Sequence, residues 1–260
     1  MKTIILCGGL GYRLKEETEF KPKPMVMIGN KPILWHIMKI YSHYGYNEFI
    51  IALGYKGDYI KDYFLNQKYF IHDFSLSTKT GATRIHREKT DSSLIDDFKI
   101  TFVDTGLETL PGERILRVKE YLKDEENFMV TYGDGVSDIN IKQLVAFHAK
   151  QKTVGTITGV FPQSKFGLVH ANNKDVITHF VEKPVLQDWV NGGFMVFTKK
   201  AFDYFREGEM EHPALKRLIS DRELSLFKHT GFWQCMDTYA DVEKLNNYWM
   251  NSPTWKIWEN

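Results

Sequence analysis

The chain has 260 residues, of which 43% are hydrophobic and 26% charged, the profile of a soluble globular protein, so disorder and fibrous repeats are excluded. That length suits one large α/β domain, or a domain with a small appendage, with a full core. A formal net charge of +1 excludes a nucleic-acid binder that relies on a broad basic face, so any anion must be met locally. Cys7 and Cys235 lie far apart without metal-ligand spacing, and no secretory leader is evident, so a reduced cytoplasmic setting is expected. No apolar run approaches the ~20 residues of a membrane span.

Lys2-Thr3-Ile4-Ile5-Leu6 reads as a buried parallel strand. Cys7-Gly8-Gly9-Leu10-Gly11-Tyr12-Arg13-Leu14 follows, and its glycines free the backbone N–H groups of a turn to face an anion such as a triphosphate. The spacing fits neither a dinucleotide fingerprint, which needs Gly-x-Gly-x-x-Gly, nor a phosphate loop, which needs Gly-Lys-Ser/Thr. In Lys21-Pro22-Lys23-Pro24 the prolines fix φ, so Lys21 and Lys23 sit on a stiff extended segment.

Pro32 suits the first turn of a helix in which Ile33, Ile37, Ile40 and Tyr44 repeat at helical spacing. A second buried strand spans 47–53, and a short helix runs through Ile60 and Phe64. Strand, helix, strand, helix is the doubly wound pattern, which places ligands at the carboxyl ends of strands. The looser stretch 65–98 reads as an inserted hairpin or oligomer-contact arm, with His86 on a solvated strand face. Lys99–Val103 resumes the sheet, and Gly112-Glu113-Arg114 opens an amphipathic helix running to about Lys123, where Arg114 could simply be an arginine on an exposed helix end.

Phe128–Tyr132 is a further buried strand. Asp134, between Gly133 and Gly135 at its carboxyl end, is accessible and suits a Mg²⁺ ligand. Asp138 is expected to cap the following helix. Strands follow at 154–160, 176–182 and 193–198. Between the last two, Lys183, stiffened by Pro184, can pair with an acceptor phosphate, and Asn191 offers both donor and acceptor to hydroxyls. A last strand lies at 224–227. Thr238 could cap the helix through Val242, Leu245 and Trp249, and capping would also explain Asp237.

Gly8-Gly9-x-Gly11-x-Arg13-Leu14 with Lys21-Pro22-Lys23-Pro24, Gly133-Asp134-Gly135, Glu182-Lys183-Pro184 and Asn191-x-Gly193, in that order, resembles the sugar-1-phosphate nucleotidyltransferases. Lys31–Met38, Tyr132–Val136 and Gly231–Gln234 extend the likeness over nearly the whole chain, toward the glucose-1-phosphate cytidylyltransferase branch. The resemblance implies a mixed, mainly parallel doubly wound sheet in one nucleotidyltransferase domain, 1–260, with residues 151–260 as the acceptor-binding half. It implies CTP and a phosphorylated small molecule as substrates, no nucleic acid or membrane partner, and a homo-oligomer. It places Leu6, Gly8, Gly9, Gly11, Lys21, Arg114 and Gly133 on the nucleotide, with Arg114 beside the base. Arg13 and Lys23 become catalytic, Asp134 and Asp237 the Mg²⁺ ligands, and Glu182, Lys183, Asn191 and Gly192 the acceptor site.

An acceptor phosphate is already ionised at neutral pH, so its attack on an α-phosphorus needs no general base, and none of the nine histidines requires a role. The acceptor loops depart from the family: Val185–Val190 is bulky where glycines are expected, and the Glu-Pro pair expected near His212-Pro213 is missing. Altered pocket loops fit a related branch that charges phosphoglutamine on the way to a capsular phosphoramidate. A non-catalytic regulatory subunit is a third reading, against which stand the intact Arg13, Lys23, Asp134 and Asp237.

Overall fold

The computed structural model describes residues 1–87 and 96–259, so residues 88–95 of the expected 65–98 insert lie outside the described part. Seven strands form the central sheet: β1 (Thr3–Cys7), β2 (Glu48–Leu53), β3 (Lys99–Asp104), β4 (Asn127–Tyr132), β5 (Gly155–Val160), β6 (Val190–Thr198) and β7 (Leu224–Lys228). Their spatial order is β7-β5-β6-β4-β1-β2-β3. Only β6 runs antiparallel to its neighbours; the remaining pairs are parallel. The expected mixed, mainly parallel sheet is therefore present.

The apolar runs become strands because both sheet faces are covered. Ile5, Ile51, Met129 and Val196 enter a core with the helices α1 (Ile33–His43), α4 (Ile141–Gln151) and α6 (Tyr239–Asn251). Ile4, Ile50, Val130 and Phe197 alternate to the other face and pack beneath α3 (Pro111–Arg117) and α5 (Glu211–Ser220). The remaining labelled helix, α2 (Gly57–Ile71), is longer than expected and absorbs Leu65–Ile71. The insert then continues as an exposed antiparallel hairpin, Asp73–Leu76 against Thr83–Arg87, where the Ser75 hydroxyl and His86 Nε2 lie 2.6 Å apart.

The chain moves outward from β1 to β2 and β3, then returns to β4 on the other side of β1. The direction of winding reverses between β1 and β4, and a crevice at such a point is where open α/β sheets bind ligands. The glycine turn leaves the end of β1 and Asp134 leaves the end of β4, so both open on this crevice.

Local differences have physical causes. Pro32 is the residue before α1, with φ −67° and ψ 151°, rather than a member of its first turn. The helix expected from Gly112 to about Lys123 breaks at Val118 into α3 and a 3₁₀ turn over Lys119–Leu122. Residues 177–181 do not join the central sheet but pair with Leu168–Ala171 in an exposed hairpin. Asp138 does not cap α4: the Asn140 side chain accepts from Gln143 N at 3.0 Å, and Asp138 Oδ1 instead lies 2.9 Å from His229 Nε2. Among the described residues no helix is long and apolar enough to cross a membrane.

Candidate active site

The glycine turn is shaped from below. Gly11 has φ +67°, a left-handed conformation that glycine adopts without strain. A Cβ there would stand 2.8 Å from Thr18 Cγ2, while the Thr18 hydroxyl donates to the Gly11 carbonyl at 3.1 Å. Buried Leu14 anchors the turn's exit and leaves Arg13 75% exposed above it.

Arg114 is not on an exposed helix end, although it lines the cleft beside the glycine turn. It is 3% exposed and lies under the loop. Its Nη1 donates to Leu53 O (2.9 Å), Gly106 O (2.8 Å) and Thr105 Oγ1 (2.6 Å), and its Nη2 to Gly8 O (3.1 Å) and Leu107 O (3.2 Å). A delocalised guanidinium with five N–H groups suits this clasp, which ties the ends of β1, β2 and β3 together. A side chain at Gly8 would run into that guanidinium.

The acidic pair is assembled by a short two-stranded ladder. Gly135–Ser137 pairs antiparallel with Trp233–Cys235, and Met236 N donates to Asp134 O at 2.8 Å. Asp134 and Asp237 therefore leave adjoining strand ends toward the same space. Asp237 is not consumed by capping: Thr238 accepts from Asp241 N, and Asp241 closes the reciprocal capping box of α6.

Lys23 stands between the two carboxylates. Its Nζ donates to Asp134 Oδ2 at 2.6 Å and to Asp237 Oδ1 at 2.8 Å, and Arg13 Nη1 reaches Asp237 Oδ2 at 3.1 Å. Burial works to lower the pKa of the Lys23 ammonium, but Asp134 and Asp237 outweigh it and the pKa is raised. Burial likewise works to raise the Asp237 carboxyl, and Lys23, then Arg13 and Lys165, hold it below its ordinary value. Both groups therefore stay charged at neutral pH.

The donor set fits Mg²⁺. Ligand atoms of Asp134, Asp237 and Cys235 lie within 4.8 Å of one another, and the ammonium bridging the carboxylates shows that they accept a cation in common. Carboxylate oxygens suit a hard ion. Cys235 does not: burial above all, and then Asp134 and Asp237, push its thiol pKa up, so it stays protonated.

Three clefts meet here. One of about 610 Å³ is lined by Leu6, Gly8, Gly9, Gly11, Arg13, Lys23, Arg114, Gly133, Asp134 and Asp237, with Leu110, Pro111 and Met210 as an apolar wall. A second, about 250 Å³, shares Arg13, Asp134 and Asp237 and adds Asn191, Gly192 and Trp233. A third, about 740 Å³, holds Lys183 and reaches Asp237 from the other side. Arg13, Lys23, Asp134, Asp237, Asn191 and Gly192 are thus brought together, and Lys183 faces the adjoining cleft. Glu182 is exposed and lines none of the three, and Lys21 instead pairs with Glu17 at 2.7 Å.

Sequence reasoning overlooked three residues. Trp233 Nε1 donates to Gly192 O at 2.8 Å and fixes the acceptor-side backbone. Tyr132, whose hydroxyl donates to Glu211 Oε1 at 2.8 Å, separates the two smaller clefts. Lys165 Nζ lies 3.9 Å from Asp237 Oδ2. Trp233 and Tyr132, inside the quoted Gly231–Gln234 and Tyr132–Val136 phrases, carried a signal in the sequence, and Lys165 did not.

A mixed, mainly parallel sheet with a glycine turn and two aspartates at its switch point defines a nucleotide-handling α/β protein, and the chain belongs to the nucleotidyl transferase family, whose sequence model matches residues 2–252. It is 43% identical to a glucose-1-phosphate cytidylyltransferase of Salmonella typhimurium (strain LT2) over 100% of both chains. It is 42% identical to a probable glucose-1-phosphate cytidylyltransferase of Bacillus subtilis (strain 168), over 99% of this chain and 100% of that one. Among solved structures, a putative glucose-1-phosphate thymidylyltransferase from Bacillus anthracis superposes with a TM-score of 0.68 at 17% identity, covering 100% of this chain and 97% of that one. HddC from Yersinia pseudotuberculosis gives 0.68 at 23% identity, covering 95% and 99%. These two likenesses establish the fold.

Proposed function

We propose that the protein is a CTP-dependent cytidylyltransferase that transfers CMP to a sugar 1-phosphate, glucose 1-phosphate in the first instance, and releases pyrophosphate. Full-length identity of 42–43% to glucose-1-phosphate cytidylyltransferases supports both substrates. The observation that carries the chemistry is the convergence of Asp134, Asp237, Lys23 and Arg13 beside the glycine turn.

In this reaction an acceptor phosphate oxygen bonds to the α-phosphorus of CTP, and the bond from that phosphorus to the bridging oxygen of the β-phosphate breaks. The electron pair leaves with pyrophosphate. Charge crowding is the barrier, so the protein's contribution is positioning and electrostatic stabilisation. Mg²⁺, held by Asp134 and Asp237, supplies neutralisation of the phosphate oxygens when bound. Lys23 and Arg13, now paired with those carboxylates, turn to the triphosphate and the leaving group. The glycine turn offers backbone N–H groups without side-chain bulk, and Asn191 and Lys183 meet the acceptor's hydroxyls and phosphate.

One observation keeps a non-sugar acceptor in view. In the bulky 185–190 connection, Trp189 stacks at 3.9 Å on Phe161, which lines the Lys183 cleft, and adds an apolar wall behind it. Phosphoglutamine is accordingly the second acceptor to test. The assay is pyrophosphate release from CTP and Mg²⁺ with a panel of phosphate esters, repeated with EDTA. Glucose 1-phosphate is expected to be active and EDTA to abolish release. Activity only with phosphoglutamine overturns the sugar acceptor, and inactivity with every ester overturns the enzyme.

A further inference from the structure

The proposed acceptor side has one cation, Lys183, and the fold supplies another. Backbone hydrogen bonds clasp two segments together: Ser164 N donates to Pro184 O at 2.8 Å, and Leu186 N to Pro162 O at 2.9 Å. Gln163 bridges to Val185 between them. Gln163 Nε2 also donates to the Lys183 carbonyl at 3.1 Å, while Lys244 Nζ donates to Gln163 Oε1 at 2.9 Å. Lys183 is held with φ +44°, a left-handed conformation that costs a non-glycine residue on the order of 1 kcal/mol and that clusters at ligand sites.

The clasp places Lys165 and Lys183 on the wall of one cleft that also reaches Asp237. Among the described residues neither ammonium has an acceptor at hydrogen-bond distance. Lys183 Nζ is 3.6 Å from Glu182 Oε1, and Lys165 Nζ is 3.9 Å from Asp237 Oδ2 and 3.8 Å from Asp241 Oδ2. Asp241 is already satisfied, since its Oδ2 accepts from Thr238 N at 2.8 Å, from Thr238 Oγ1 at 2.8 Å and from Asp237 N at 3.1 Å. Lys165 is 57% exposed and its removal breaks no hydrogen bond of the fold. Three unused donors on a cation at the edge of the reacting centre call for an anionic partner.

We propose that Lys165 is a second ligand for the acceptor's phosphate, so that a phosphate monoester dianion is gripped between Lys165 and Lys183 with its attacking oxygen toward Asp237. The inference rests on the cytidylyltransferase reading of the site. A dianion arriving beside Asp134 and Asp237 meets like charge, and an ammonium on the approach offsets that repulsion. Lys165 thereby selects for a phosphate-bearing acceptor, whatever the group esterified to it.

The test is calorimetric titration of glucose 1-phosphate, and in a parallel arm phosphoglutamine, into the full chain with Mg²⁺ and a non-hydrolysable CTP analogue. Wild type, Lys165→Met, Lys165→Arg, Lys183→Met and the double Met variant are compared, with steady-state kinetics and melting alongside. Lys165→Met is expected to weaken acceptor binding and raise acceptor KM about tenfold or more, while KM for CTP and the melting temperature hold. Lys165→Arg should recover most of the loss, and the double variant should lose less than the sum of the singles because both cations grip one phosphate. Unchanged acceptor binding in Lys165→Met, or an equal change in CTP KM and melting, overturns the assignment while leaving the enzyme intact. A wild-type protein that binds neither acceptor overturns the acceptor reading and this inference together.

Discussion

Lys23 and Asp134 stand 111 positions apart in the chain and 2.6 Å apart in space, and the same ammonium holds Asp237 at 2.8 Å. Its charge bridges two neighbouring carboxylates and holds them turned to one point before any ligand arrives. Lys23→Met should therefore lose at least about a hundredfold in kcat, the scale expected when a donor to developing charge is removed. The folded state should persist, with an unchanged far-ultraviolet dichroism spectrum. Turnover within about threefold of wild type would remove Lys23 from the chemistry.

Arg13 separates function from stability more cleanly. Its side chain is 75% exposed and, among the described residues, pairs with Asp237 alone. Exposed pairs contribute roughly 0.2–1 kcal/mol, so Arg13→Ala should barely shift a urea midpoint. In turnover it should lose about a hundred- to a thousandfold if it meets the triphosphate. Pyrophosphate release and denaturation on the same preparation check both halves.

The parts legible in the sequence are those in which local pattern and tertiary environment agree. β1, β2 and β4 are short apolar runs buried on both faces, and Asp134 follows the last of them at a strand end where ligands collect. The convergence of Asp237 on Asp134 was legible only through the likeness to a family, because the pairing of Gly135–Ser137 with Trp233–Cys235 spans too few residues to show a periodicity. The burial of Arg114 was not legible because an arginine in a helix's first turns looks solvent-facing, and nothing in Gly112-Glu113-Arg114 announces three strand ends with carbonyls to satisfy. Asp138 lost the cap to Asn140 because both side chains can accept from a helix's first N–H groups, and His229 draws Asp138 away. The 177–181 strand shows that β-propensity predicts extended backbone and not the sheet that receives it.

Removing the clasp under the glycine turn should cost both stability and nucleotide affinity. Arg114→Met removes five hydrogen bonds under the loop; the Leu53 carbonyl keeps Thr105 N and Oγ1 and the Gly8 carbonyl keeps Tyr55 N, so the loss falls on the Gly106 and Leu107 carbonyls, at about 1–3 kcal/mol for each group left unsatisfied. The melting temperature should fall by several degrees. KM for CTP should rise more than KM for the acceptor, since the clasp touches β1 and β2 and no acceptor-side strand. Gly8→Ala, which drives a methyl group into the same guanidinium, should shift melting and CTP KM in the same direction. Loss of acceptor affinity alone would contradict this division.

The Lys23–Asp237 pair also sets a pH dependence whose sign follows from its two displaced groups. Asp237 titrates below its ordinary 3.8, so its contribution is present above that value and is lost as pH falls through the lowered pKa. Lys23 titrates above its ordinary 10.5, so its contribution is complete below that value and is lost as pH rises through the raised one. Between these limits the pair should add a constant increment, about 1 kcal/mol for a partly buried pair. Urea unfolding in EDTA of wild type and Asp237→Asn reads it directly: the gap between them should be flat from pH 5 to pH 9, narrow below about pH 3.8 and narrow again above about pH 10.5. A gap that instead widens on acidification would mean that Asp237 is more stable protonated in the fold, and the ion pair would lose its place at the centre of the site.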